Sequence, residues 1–209
     1  MKDNVFFVSG IDTNVGKSYA TGYLAKTWNE QGVRTITQKF IQTGNVGMSE
    51  DIELHRKIMG TGLLPEDESG LTMPEIFTYP CSPHLAAEID HRPIDFDKIE
   101  KATRQLSETY DAVLLEGAGG LMVPLTRDLL TIDYVAQKNY PLIFVTSGKL
   151  GSINHTLLSL EAVTRRGIRL HTVAYNLFPE EDDDIIRRDT EAYIRDLLAK
   201  EYPETHFVI

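Results

Sequence analysis

Gly16-Lys17-Ser18, set behind the apolar run Val5-Phe6-Phe7-Val8 and the loop from Ser9 to Val15, brings together the residue types that hold phosphate. Glycine lets backbone N–H groups approach anionic oxygens, a lysine reaches the outer phosphates, and a hydroxyl helps to hold magnesium. The helix expected from Ser18 to about Gln31 points its unpaired amides and positive dipole end at the same anion. Five residues separate Gly10 from Gly16, one more than in the usual phosphate loop, and Ile11 stands where that pattern has glycine. The loop is a variant form of a nucleoside-triphosphate site.

Further candidates follow the other apolar runs. Lys39-Phe40-Ile41-Gln42-Thr43-Gly44 precedes a polar stretch ending in Ser49-Glu50-Asp51, where Asp51 is expected to cap and open a helix. Glu116-Gly117-Ala118-Gly119-Gly120 puts a carboxylate at a strand end, ahead of small residues that admit close backbone approach. The segment from Ser147 to His155 is a second glycine-punctuated helix start, and another run ends on Asn176. Taken singly, Lys39 reads equally well as a surface lysine, Asp51 or Ser152 as a cap, and Glu116 as a solvated strand end. Together they place a lysine, two carboxylates and two helix starts on one edge of a sheet. Ser18, Asp51 and Glu116 offer the hard oxygens that magnesium prefers.

The elements that must position these residues alternate between strand-like runs and helix-like segments, the pattern of a parallel sheet covered on both faces. Strands are expected near Val5 to Ser9, Val33 to Phe40, Ala112 to Glu116, Leu142 to Thr146 and Leu170 to Asn176, with a short last one at Thr205 to Ile209. The fold class is therefore α/β, a P-loop NTPase-like parallel sheet with helices on both faces, and 209 residues suit a single domain spanning 1–209. Ligands of such sheets bind at the carboxyl ends of the strands, where the candidates lie. A net charge of −10 argues against a nucleic-acid or anionic-membrane binder. No stretch approaches the roughly 20 apolar residues of a membrane span, and the start shows no export signal, so a cytoplasmic address is expected. Cys81 is the only cysteine, which excludes an internal disulfide and reads as a structural thiol.

The ordered set of motifs resembles the dethiobiotin synthetase family of biotin biosynthesis. Gly10 through Ser18 is similar to that family's long variant P-loop, and Lys39 through Gly44 to its substrate-lysine strand. Asp51, Ser82-Pro83-His84, Glu116 through Gly120, Lys149 through His155 and Asn176 fall in register with it. The resemblance implies an ATP- and Mg2+-dependent ring closure that turns 7,8-diaminononanoate and CO2 into dethiobiotin through a carbamate and its phosphorylated form. It implies that Lys17 and Lys39 are catalytic and that Ser18, Asp51 and Glu116 hold the metal. Nucleotide contacts are implied for Asn14, Val15, Gly16, Lys17, Ser18, Tyr19, Asp51, Glu116, Gly117, Ala118, Gly119 and Asn176. Thr13 and Thr43 would contact the diamine or its carbamate, while Gly151, Ser152, Ile153 and Asn154 would receive the tail carboxylate from a neighbouring subunit. A homodimer with shared sites follows from that last assignment.

Two departures accompany the resemblance. Phe40 follows Lys39 where many relatives have proline, and the chain stops at His206-Phe207-Val208-Ile209 where relatives continue into a base-clamping loop. Base contact is therefore expected to rest on Asn176 and its neighbours. Two other classes would use the same loop: an amidating P-loop ligase, which requires neither Lys39 nor Leu150 to His155, and a nucleotide-dependent switch. Asp12 stands where a partition-type switch carries its extra lysine. His84 and His155 are expected to pack or cap, and the acidic run Glu180 to Asp184 to form a solvated turn before a helix.

Overall fold

The computed structural model describes residues 4–178 and 183–209. In chain order its elements are β1 (Val5–Gly10), α1 (Lys17–Glu30), β2 (Thr35–Lys39), β3 (Gln42–Thr43), α2 (Glu50–Met59), α3 (Pro65–Glu68), β4 (Ile76–Phe77), α4 (Pro83–Ile89), α5 (Phe96–Thr109), β5 (Ala112–Gly120), α6 (Thr131–Lys138), β6 (Leu142–Ser147), α7 (Ser152–Arg165), β7 (Leu170–Asn176), α8 (Asp184–Glu201) and β8 (His206–Val208). Six strands form one parallel sheet in the order β2-β5-β1-β6-β7-β8. Burial on both faces is what lets these strands read as apolar runs rather than as alternating patterns.

Successive residues of each strand still serve opposite sides. Val5 and Phe7 join Val113, Leu115, Leu142 and Phe144 in a core that takes in Ile99 and Leu106 of α5, Val135 of α6, Leu160 of α7 and Ile194 of α8. Val8 joins Leu114, Ile143, Val145 and Ala174 on the other side, against Leu24 and Ala25 of α1. Helix α2 lies along α1 and touches β2, so its first turn is carried to the carboxyl edge of the sheet, beside the loop that follows β1.

The expected strands form with shifted ends. Val33 and Arg34 belong to the turn before β2, where the Val33 amide bonds the Trp28 carbonyl and Arg34 pairs with Asp111. Strand β5 runs four residues beyond Glu116, because its small residues let the backbone continue along β1 to the pair Gly10 and Gly120 after a register shift. The two-residue strands β3 and β4 form a separate parallel pair too short to leave a periodic signal. Asp51 is not the cap of α2. Ser49 takes that place, its hydroxyl accepting from the Ile52 amide at 3.2 Å, which leaves the Asp51 carboxylate free to turn toward the sheet edge. Phe40 is buried between Phe7 and Tyr134, at centroid distances of 5.5 and 4.7 Å. The acidic run falls partly outside the described residues; within them, Asp183 caps α8 by accepting from Ile185 and Ile186. Among the described residues no helix is long and apolar enough to cross a membrane.

At the far side of the sheet, His171 of β7 sits among Phe6, Trp28 and His206, with ring centroids 4.8, 6.1 and 5.2 Å away. Burial there, aided by the nearby His206 and Arg169, lowers its pKa from the ordinary 6.5 to about 4. Because the folded state resists protonation, His171 contributes stability that is complete above pH 6.5 and is lost as pH falls from there toward 4. Urea unfolding between pH 7.5 and 4 should show this slope, and His171→Phe should flatten it; an equally steep loss in the variant would assign the acid sensitivity elsewhere.

Candidate active site

The phosphate-type loop is shaped by two backbone constraints. Gly16 has φ of 92°, a left-handed conformation, and a Cβ there would lie 2.1 Å from Asn176 Nδ2. At Gly10 a Cβ would meet Val145 O at 2.8 Å and the Val15 side chain at 2.7 Å. The loop thus needs glycine at both ends and closes against β6 and β7. Asn176 clips it from across the sheet, donating from Nδ2 to the Val15 and Phe178 carbonyls at 2.9 and 2.7 Å and accepting from the Phe178 amide. Both of its amide N–H groups are engaged with backbone, so its observed role is to hold the loop.

Inside the loop, Lys17 Nζ donates to its own loop's Asp12 carbonyl at 2.7 Å. Burial lowers the Lys17 pKa to about 8; the Lys39 charge acts in the same direction, against the pull of Glu116, Asp51 and Asp12. Lys17 is therefore a cation short of counter-charge, pre-aimed into the cavity. The Asp12 carboxylate is used locally, accepting from the Thr13 amide at 2.7 Å.

Next to it the charges are balanced. Lys39 Nζ, at the end of β2, lies 2.5 Å from Asp51 Oδ2 and 2.8 Å from Glu116 Oε1, and donates to the Gly117 carbonyl at 3.3 Å. Burial opposes charge on Lys39, but Glu116 and Asp51 outweigh it and raise its pKa above the ordinary lysine value. Burial likewise pushes the Glu116 carboxyl up, while Lys39 and His55 hold it well below the usual carboxylate range. Ser18 Oγ lies 2.6 Å from Asp51 Oδ1 and 2.9 Å from Glu116 Oε1. A hydroxyl has one proton to donate, so one of those carboxylate oxygens is left facing Ser18 without it. That donor set of three hard oxygens fits a small divalent cation. Among the described residues no group of three or more His, Cys, Asp or Glu side chains could hold a metal, so the hydroxyl and the oxygens of a ligand and water must complete any coordination.

These groups line one cavity of about 440 Å3, together with Thr13, Asn14, Gly16, Tyr19, Thr43, Ala118, Gly119 and Asn176. Val15 and Gly117 stand behind its wall and act through their carbonyls. The segment after β6 does not reach it. Gly151 and Ser152 line a second cavity of about 330 Å3 with His155 and Lys149, and Thr13 and Asn14 line both cavities; Ile153 and Asn154 line neither. Gly151, with φ of 94°, opens α7, the Ser152 hydroxyl is turned inward to Ser147 Oγ at 3.1 Å, and the Ser152 amide donates to the Lys149 carbonyl at 2.9 Å. His84 Nδ1 pairs with Ser82 Oγ at 3.0 Å. Cys81 is partly buried, and its thiol pKa is raised by burial and by Asp90, as suits an inert thiol.

Sequence reasoning missed a buried polar chain behind the site. His55 Nε2 lies 2.7 Å from Glu116 Oε2, and Thr37, Arg56 and Asp67 continue the chain away from the cavity. The spacing of Asp51 and His55, four apart on one helix face, was the available signal.

Comparison with known proteins places this geometry. A family model described as an AAA domain matches residues 4–200. The chain is 53% identical over 205 residues to ATP-dependent dethiobiotin synthetase BioD 2 of Pasteurella multocida, covering 98% of this chain and 96% of that protein. The BioD 2 of Haemophilus influenzae is 57% identical, over 88% of this chain and 96% of its own length. The BioD of Chlorobaculum tepidum is 52% identical, over 91% and 80% respectively. Among solved structures, cell division protein FtsY of Thermotoga maritima superposes with a TM-score of 0.54 at 15% identity, over 97% of this chain and 60% of that chain. Chloroplast FtsY of Physcomitrella patens gives 0.52 at 17%, over 95% and 57%. This chain spans less than two thirds of either structure, and the likeness is one of fold alone.

The balance around Lys39 carries an energetic consequence. Lys39→Met keeps the volume but leaves Asp51 and Glu116 without their shared cation, and breaking a buried pair on one side costs about 3 kcal/mol. Urea unfolding at pH 7.5 without divalent ions should show that loss. A change below about 1 kcal/mol would mean that Lys39 is not the charge holding the two carboxylates together.

Proposed function

The chain belongs to the ATP-dependent dethiobiotin synthetase family, and from that premise we propose how its residues close the ureido ring of dethiobiotin from 7,8-diaminononanoate, CO2 and ATP. The observation that carries the reading is the convergence of Lys17, Lys39, Ser18, Asp51 and Glu116 on one cavity at the end of a phosphate-binding loop. In the overall reaction one amine of the diamine takes up CO2 as a carbamate. The γ-phosphoryl group of ATP passes to a carbamate oxygen, and the second amine then attacks the activated carbon and expels phosphate. No protein nucleophile is required, so the protein's task is positioning and charge neutralisation.

Asn14 to Tyr19 hold the triphosphate with backbone amides and the start of α1. Lys17 exchanges the Asp12 carbonyl for the outer phosphates, which restores to a partly desolvated ammonium the counter-charge it lacks. Lys39 is kept protonated by Asp51 and Glu116 and meets the carbamate and the transferred phosphoryl group. Ser18, Asp51 and Glu116 would hold Mg2+, which when bound neutralises charge on the triphosphate. Gly117 to Gly119 allow close backbone approach, and Thr13 and Thr43 orient the diamine. An apolar cavity of about 280 Å3, lined by Tyr23, Leu24, Ile58 and Val208, shares Tyr19, Asn176 and Phe178 with the phosphate cavity and suits the nucleotide base. The engagement of Asn176 with backbone leaves apolar contact as the main recognition there.

Gly151 to Asn154 would take the tail carboxylate of a diamine whose amines lie on the partner subunit, giving a homodimer with shared sites and a cytoplasmic address. The second cavity supports this, because the start of α7 is set apart from Lys17 and Lys39 of its own chain yet meets the loop at Thr13 and Asn14.

Purified protein given the diamine, bicarbonate, Mg2+ and ATP should form the cyclic urea with one phosphate released per ring, and should hydrolyse ATP only slowly when the diamine is omitted. Steady hydrolysis of ATP alone with no urea would return the chain to the switch or amidase classes. Sharing of the sites is tested by mixing Lys17→Ala with Asn154→Glu chains. Lys17 is the less structural of the two lysines, and a glutamate in the first turn of α7 suits the helix while repelling a carboxylate. After subunit exchange, half of the dimers are mixed and each has one intact site, so about one quarter of wild-type activity should return. A mixture that stays inactive after verified exchange rules out sharing.

A further inference from the structure

The two oxygens of Glu116 are used differently. Oε1 faces the cavity, 2.8 Å from Lys39 Nζ and 2.9 Å from Ser18 Oγ. Oε2 faces away, 2.7 Å from Nε2 of the fully buried His55. The other ring nitrogen of His55 lies 3.0 Å from Thr37 Oγ1, which also receives an N–H from Arg56 NH1 at 2.8 Å. Arg56 is itself fixed. Its Nε and NH2 grip Asp67 at 2.8 and 2.9 Å, and further N–H groups meet the Thr37 carbonyl and Met59 Sδ. Asp67 in turn accepts from Thr72 Oγ1 at 2.6 Å and from the Leu64 amide at 2.8 Å.

Hydrogen accounting gives this chain a direction. Guanidinium can only donate, so Thr37 Oγ1 must accept from Arg56. Among the described residues the hydrogen of that hydroxyl then has His55 Nδ1 as its acceptor. Glu116 Oε1 lies 2.8 Å from the Lys39 ammonium, and a carboxylate in such an ion pair only accepts. The ring nitrogen facing it must therefore carry the other hydrogen. Every polar hydrogen from Arg56 to Glu116 finds a partner in the Nε2–H tautomer of His55, and reversing the ring would set two lone pairs against each other at Glu116.

Resting on the functional reading above, we propose that His55 is a positioning residue: it pins Glu116 Oε2 so that Oε1 alone is presented to the cation and to Lys39, and its tautomer is set through Thr37 by the buried Arg56–Asp67 pair. A carboxylate with one oxygen anchored binds through the other, which suits the octahedral demand of Mg2+ better than bidentate contact. Outer partners of this kind control how strongly a ligand holds its metal. His55 touches neither nucleotide nor diamine in this scheme and acts only through Glu116.

The test uses the full-length protein without substrates. Nitrogen-15 NMR of the imidazole rings, with His55 identified by the signals lost in His55→Gln, should show the Nε2–H tautomer with Nδ1 as acceptor. Mn2+ binding followed by electron paramagnetic resonance should weaken about tenfold in His55→Leu. In His55→Gln, whose amide N–H can replace Nε2–H, it should stay within about threefold of wild type. Thr37→Val, which removes the hydroxyl but keeps the shape, should leave Nδ1 without its donor, seen as a shift of the Nδ1 nitrogen-15 signal with Nε2 still protonated, and should give part of the same weakening. The proposal is overturned if wild type carries the Nδ1–H tautomer, or if Mn2+ binds His55→Leu as it binds wild type while both His55 variants lose thermal stability alike. Should His55→Leu not fold, the wild-type tautomer and the Thr37→Val titration decide the matter. If the tautomer and Mn2+ binding behave as stated but wild type forms no cyclic urea, the assignment of the reaction fails and that of His55 stands.

Discussion

Lys39 carries a charge almost wholly removed from water, and the site is organised around keeping it there. An isolated buried ammonium would give up its proton, and isolated buried carboxylates would take one up. Placed 2.5 and 2.8 Å from Asp51 and Glu116, the lysine instead stays charged and keeps Glu116 ionised. Strand β2 supplies the cation, the first turn of α2 one anion and β5 the other, so the balance exists only when helix and sheet are docked. Adjacent β2 and β5 set Lys39 beside Glu116 by register, as paired residues across the ladder.

The same arrangement leaves Lys17 under-neutralised. It is buried, its pKa is lowered to about 8, and its hydrogen-bond partner among the described residues is the Asp12 carbonyl. One lysine thus has more anionic company than its charge requires and the other has less. The cluster around Lys39 is thereby balanced from within, whereas the loop that holds Lys17 is not.

Behind the cluster, a run of buried polar groups is hydrogen-bonded from Glu116 to Asp67. The Arg56–Asp67 pair is buried, yet its N–H groups and carboxylate oxygens find partners, which is the condition under which a buried ion pair is tolerated. The fixed donor at Thr37 gives the chain leading to Glu116 one hydrogen-bonding direction, and that direction reaches the atom that faces the cavity.

Residue type and order alone determined the parallel α/β architecture, the phosphate loop and the candidacy of Lys17, Ser18, Lys39, Asp51, Glu116 and Asn176, because buried strands read as apolar runs and phosphate loops need glycine, lysine and hydroxyl in local order. Local signals also sufficed for a helix start between Ser147 and His155, while the structure makes Gly151 rather than Ser152 its cap. What tertiary structure decided were relations between distant segments. It made Ser49 rather than Asp51 the cap of α2, engaged Asn176 with the loop backbone, separated Gly151 and Ser152 from the phosphate cavity, and brought His55, Thr37, Arg56 and Asp67 into line behind Glu116. Each depends on how α2 docks against α1 and β2, or on how β7 meets the loop. A hydrogen bond between residues 61 or 161 positions apart leaves no periodicity in the chain, and only packing brings its two ends within reach.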